Sequence, residues 1–112
     1  MSELSARNCQ RLGPQDLLSD AEIARGLRQT TGWVTHDAGI ERTFEFGDFL
    51  ETMAFANAVA QIAHEQDHHP EMHVSYGQCR LRFSTHSARG VTVNDLICAA
   101  RINALRQEIA SE

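Results

Sequence analysis

The clearest pattern in the chain is the alternation from residue 79 to residue 86, where Cys79, Leu81, Phe83 and Thr85 are interleaved with Arg80, Arg82, Ser84 and His86. That period of two marks a strand with one buried face. With His73 to Tyr76 ahead of Gly77 it predicts a hairpin, and the period puts His86 on the polar face at the strand end. A first hairpin is expected from Trp33-Val34-Thr35 and Ile40 to Phe46 around His36-Asp37-Ala38-Gly39, with Ile40, Phe44 and Phe46 on the apolar side. Three helices alternate with these hairpins. Ser19 with Glu22 caps the first, which should run to about Gln29, while Leu18 and Ile23 form a staple across its first turn. Asp48 with Glu51 opens the second and longest, unbroken until Pro70. Its apolar Leu50, Met53, Phe55, Val59 and Ile62 cover a wider arc than one sheet requires, so a second chain is expected to cover part of it. Asn57, Gln61, His64 and His68, at steps of four, three and four, share a narrow polar face leading to the helix end. Thr92 with Asp95 caps the third helix, whose buried stripe is Cys98, Ile102, Leu105 and Ile109. The order α-β-β-α-β-β-α predicts an α+β fold, a two-layer sandwich of one four-stranded antiparallel sheet with three helices on one face. Residues 1–15, weakly patterned around Gly13-Pro14, are expected as a loosely held lead-in to a single domain over 16–112.

Composition narrows the partners. A chain of 112 residues, 42% hydrophobic and 22% charged, suits one domain. The net charge of −5 argues against nucleic acid, the only basic group being Arg80, Arg82 and Arg89. No eighteen uncharged apolar residues run together and no signal-peptide pattern opens the chain, so a soluble protein without a membrane segment is expected. Cys9, Cys79 and Cys98 form an odd set without C-x-x-C spacing, as expected of free thiols in a reducing cytoplasm.

The candidate chemistry lies at Asp67-His68-His69-Pro70, with His86 further on. Imidazoles titrate near neutrality, so several converging from two segments would make an acid/base pocket without a cofactor. Pro70 disfavours helix at His69, so the two histidines should point different ways. The carbonyls at the helix end favour a protonated His68. Two alternatives stand beside this reading. The histidines could be surface residues at a helix end, or His64, His68 and His73 could bind a metal, although no cysteine or paired carboxylate completes a ligand set. A nucleophile is poorly supported: Cys79 and Cys98 fall on apolar faces, and Ser84 and Ser87 lack a hydrolase elbow. Asp95 reads most simply as a helix cap.

The run His64-x-x-x-His68-His69-Pro70, then Tyr76, His86 and Asp95, with Gly32-Trp33, Phe44-x-Phe46, Phe49 and Ser84-Thr85-His86, resembles the signature of the pterin-4a-carbinolamine dehydratases. The resemblance implies dehydration of 4a-hydroxytetrahydropterin to quinonoid dihydropterin, without metal or cofactor. It implies that His68 and His86 are the acid and base, that His69 holds the pterin, and that Asp67, Ser84, Thr85 and Ser87 contact it along with the histidines. His64 stands where many relatives have glutamate, and is expected to modulate the site. A homodimer or homotetramer is implied, and the alternative role is a protein-binding, assembly or transcriptional co-regulator module on the same fold.

Overall fold

Strands β2 (Gly39–Glu45) and β4 (Gln78–Phe83) pair antiparallel and turn Ile40, Phe44, Cys79, Leu81 and Phe83 to one face, where none is more than 3% exposed. In this computed structural model, which describes residues 3–111, β1 (Val34–His36) lies outside β2 and β3 (Glu71–Val74) outside β4, giving the order β1-β2-β4-β3. Asp37 and Ala38 both adopt positive φ between β1 and β2, the conformation of a tight hairpin turn that follows the strand twist. Thr43, Glu45 and Arg80 face solvent on the opposite side.

The helices cover the apolar face. Helix α1 (Asp20–Leu27) starts at a reciprocal cap in which the Ser19 hydroxyl accepts the Glu22 N–H at 3.2 Å and the Glu22 carboxylate accepts the Ser19 N–H at 2.8 Å. Helix α2 (Phe49–Gln66) starts where Asp48 accepts the Glu51 N–H at 2.8 Å. Phe55 and Val59 of α2 and Ile97 and Ile102 of α3 (Val93–Ser111) share one core with the sheet, and Ile23 and Leu27 of α1 pack on its margin. The α+β order and four-stranded sheet are those the pattern predicts.

Several details differ from expectation. Helix α1 ends at Leu27 rather than Gln29. Strand β3 covers Glu71–Val74 rather than reaching Tyr76, because the Ser75 N–H already turns back to the Gln78 carbonyl at 2.9 Å. Strand β4 stops at Phe83, after which Thr85 forms a single bridge to Gly90 and His86–Ala88 coil into a 3-10 turn. His86 therefore sits on a turn, not on the polar face of a strand. Of the apolar arc of α2 that a second chain was expected to cover in part, Phe55 and Val59 are 1% and 0% exposed within their own core, whereas Leu50 is 81% exposed.

The expected lead-in crosses the start of α3 as a strap. Leu4 is buried, the Cys9 N–H donates to Gln66 Oε1 at 2.7 Å, and Asn94 brackets Gln10 with bonds of 3.1 and 2.7 Å. The Ser87 hydroxyl donates to the Leu12 carbonyl at 2.7 Å and the Arg101 guanidinium to the Arg7 carbonyl at 3.0 Å. Met1, Ser2 and Glu112 lie outside the described residues.

Helix α1 meets α3 at Gly26, where an added Cβ would lie 2.3 Å from Leu96 Cδ1. Overpacking costs about 1–3 kcal/mol against about 1 kcal/mol of gained helix propensity. Gly26→Ala is therefore expected to lower stability by about 1 kcal/mol in chemical denaturation, and an unchanged midpoint would show that Leu96 moves freely.

Candidate active site

Helix α2 ends by backbone geometry. Asp67 takes the left-handed conformation, φ 50° and ψ 43°, and the His68 N–H reaches back to the Ala63 carbonyl at 3.1 Å. This is a Schellman-type stop, in which aspartate is among the few side chains that tolerate the left-handed residue, and Pro70 forbids resumption. The reversal swings His68 inward while leaving His69 exposed. The two adjacent imidazoles do point different ways.

His68 is 12% exposed and packs flat on Phe83, with ring centroids 5.6 Å apart and planes 12° apart. Its Nε2 lies 2.6 Å from Asp95 Oδ1, and Asp95 is fully buried. Burial is the largest influence on the imidazole and pulls its pKa down, but the hydrogen bond and charge of Asp95, with smaller contributions from Cys9 and Asp67, outweigh it and leave the pKa raised. With Nε2 committed to the carboxylate, Nδ1 is the ring nitrogen left to exchange a proton with a ligand. Asp95 supplies the largest charge stabilising the imidazolium.

Asp95 is fixed from its other side. Its Oδ2 accepts the Thr92 N–H and the Thr85 hydroxyl, each at 2.9 Å, and the Thr85 and Thr92 hydroxyls are 2.6 Å apart. One carboxylate thus caps α3, closes the 85–92 connection and holds His68. Sequence reasoning gave Asp95 only the first task. The signal was present, since a capping carboxylate has a second oxygen that a buried site must satisfy.

These elements enclose a cavity of about 620 Å³. His68 and His69 line it with Asp67 from the end of α2; Ser84, Thr85, His86 and Ser87 line it from the turn after β4; and Cys9 to Leu12 of the strap complete the wall. Every residue expected at the site is there except His64, which is exposed on α2 and does not line the hollow. Asn57 and Gln61 are exposed as well, so the polar seam of α2 stops at the helix end and does not run into the cavity. The strap was not foreseen as part of the site; its weak patterning hides contacts made mainly through its backbone. Among the described residues, no group of three or more His, Cys, Asp or Glu side chains is arranged to hold a metal ion. The cavity is thus walled by imidazoles from two elements, one of them carrying a raised pKa, and imidazoles exchange protons near neutral pH.

Comparison with known proteins gives the family of the chain. Residues 16–105 match the family model described as pterin 4 alpha carbinolamine dehydratase. A Stenotrophomonas maltophilia (strain K279a) protein provisionally named pterin-4-alpha-carbinolamine dehydratase is 44% identical over 106 residues, covering 93% of this chain and 91% of that one. A similarly named protein of Nitrosospira multiformis is 40% identical over 108 residues, with 96% of each chain covered. A crystal structure described as a transcriptional coactivator/pterin dehydratase from Brucella melitensis superposes with a TM-score of 0.76 at 35% identity, over 80% of this chain and 97% of that one.

Proposed function

This chain belongs to the pterin 4 alpha carbinolamine dehydratase family of carbon–oxygen lyases, and from that premise we propose that its cavity dehydrates a 4a-hydroxytetrahydropterin to the quinonoid dihydropterin by histidine acid/base catalysis. The observation that carries this reading is the convergence of His68 and His86 on one hollow, with His68 held by a buried carboxylate. The reaction removes hydroxide from C4a and a proton from N5. Hydroxide is a poor leaving group, so a donor at its oxygen and an acceptor at N5 each lower the barrier, typically by a factor of roughly 100 to 10,000.

His68, whose pKa is raised, is the donor: protonated through its contact with Asp95, it delivers its Nδ1 proton to the 4a-oxygen. His86, on the facing turn, takes the N5 proton. His69 and Asp67 hold the pterin from one wall, and Ser84, Thr85 and Ser87 from the other. Donation leaves His68 neutral and uptake leaves His86 protonated; once water has left, proton exchange with solvent returns each imidazole to its starting state.

The test is the spectroscopic decay of 4a-hydroxytetrahydropterin with protein, with buffer, and with protein plus chelator. Decay faster than buffer and indifferent to chelator is expected. A rate equal to buffer would leave the co-regulator role as the better account, and chelator sensitivity would point to a metal. Because His64 lies outside the cavity wall, His64→Glu is expected to keep kcat within about threefold or raise it; a tenfold loss in the same assay would give His64 its own part in catalysis.

Copies of the chain are proposed to associate as a homodimer or homotetramer in the cytoplasm. The support is two edge strands, β1 and β3, and an exposed apolar group, Phe49 and Leu50 at the start of α2 with Val74 at the end of β3 and Tyr76 in the β3–β4 turn. The turn abuts α2 through the Thr52 hydroxyl, which donates to the Tyr76 carbonyl at 2.9 Å. Three free thiols suit a reducing compartment. Among the described residues no helix is long and apolar enough to cross a membrane.

A further inference from the structure

Two of the cysteines approach each other from opposite ends of the chain. Cys9 on the strap and Cys98 on α3 have their sulfurs 3.6 Å apart, within the range of a thiol hydrogen bond. Cys98 is fully buried on a packed helix, whereas Cys9 is half-buried and lines the active-site cavity. Cys79, equally buried in β4, has no sulfur neighbour at that range among the described residues. The cavity therefore gives a small reagent access to one thiol of the pair, and a second thiol waits directly behind it.

We propose that Cys9 and Cys98 form a dithiol modification site, oxidised by a hydroperoxide to an intramolecular disulfide that ties the strap to α3. Cys9 is the attacking sulfur. Its pKa is lowered, first by the hydrogen bond from Cys98 and in smaller part by the charges of His68 and Arg101, against the effect of burial. Cys98 is driven the other way by the same bond and by burial, which keeps it a thiol until it is needed.

The chemistry closes without a further reagent. The Cys9 thiolate attacks the terminal oxygen of the hydroperoxide, a sulfur–oxygen bond forms, the oxygen–oxygen bond breaks, and the departing oxygen takes a proton to leave as water from hydrogen peroxide or as an alcohol from an organic hydroperoxide. Cys9 is now a sulfenic acid, oxidised by two electrons. The Cys98 sulfur then attacks the Cys9 sulfur, the sulfur–sulfur bond forms, and the hydroxide that leaves takes the Cys98 proton as water. One hydroperoxide thus consumes two thiols.

Closing the gap from 3.6 Å requires an approach of about 1.5 Å to reach disulfide length. The strap must supply it, since Cys98 is fixed in the core. The movement is small because Gln66 and Asn94 already hold Cys9 and Gln10 by their backbone at the start of α3. The product would lock in place the segment that supplies Cys9 to Leu12 to the cavity wall.

The experiment treats fully reduced, folded protein with one equivalent of hydrogen peroxide, then counts thiols after denaturation and maps peptides with trypsin without reductant. The three thiols are expected to fall to one, the intact mass to drop by two hydrogens, and residues 8–11 to appear joined to residues 90–101, all reversed by dithiothreitol. Cys79→Ala should give the same joined peptides. Three surviving thiols, a sulfinic acid on Cys9, or links through Cys79 or between chains would each overturn the proposal. Cys98→Ala adds a second arm: it should stop at sulfenic acid or over-oxidise at Cys9, and if it fails to fold, the peptide map of the unmodified sequence still decides.

Discussion

Asp95→Ala is expected to destabilise the fold by about 3 kcal/mol and to slow dehydration at least 100-fold. The buried carboxylate satisfies the Thr92 N–H, the Thr85 hydroxyl and the His68 ring at once. Its removal takes that acceptor from all three donors, and loss of the cap alone costs about 1 kcal/mol. Asp95→Asn separates the parts. It keeps the size and one acceptor, but loses the charge that raises the His68 pKa against burial.

The pH dependence has a definite sign. A histidine whose folded pKa lies above its unfolded value contributes stability that is fully present below the unfolded value, about 6.5, and is lost as pH rises through the raised folded value. Denaturation of the unmodified protein should therefore show falling stability across that window, and Asp95→Asn should flatten it. In turnover, the alkaline limb of kcat/KM should move to lower pH in Asp95→Asn. An unmoved limb, with stability alone reduced, would make Asp95 a purely structural residue.

His68→Gln is expected to lower kcat by roughly 100- to 10,000-fold while leaving the fold nearly intact. Glutamine retains a donor able to reach Asp95 and fills part of the space beside Phe83, so the buried carboxylate keeps a partner. It carries no titratable proton. Circular dichroism and thermal melting close to those of the unmodified protein, with turnover near the buffer rate, are the expected pair of observations. His68→Ala would be less informative, because it also leaves Asp95 without its imidazole.

Much of this architecture is legible in the order of residues. The alternation from Cys79 to Thr85 survives intact, because a strand with one buried face must repeat every two residues. The caps at Ser19 and Asp48 are equally local. The end of α2 is partly so: Pro70 shows that the helix stops, but the left-handed Asp67 that turns His68 inward is visible only in three dimensions. Contacts across the chain are the part that periodicity does not carry. His68 and Asp95 are 27 residues apart, and the strap reaches α3 across more than 80 residues. Both rest on single polar side chains or on backbone groups, which leave no apolar rhythm. Phe55 and Val59 misled for the opposite reason, since a helix between a sheet and a second helix is apolar on two sides without any partner chain.

The proposed dehydration requires that His68 and His86 act on one bound pterin in one step. Its most direct measurement is the rate of 4a-hydroxytetrahydropterin dehydration by the unmodified protein, His68→Gln, His86→Ala and the double variant. A large loss is expected in each single variant, with a double variant little slower than the worse of the two, since groups that serve one transition state are not additive. Single variants that both turn over at the unmodified rate would contradict it.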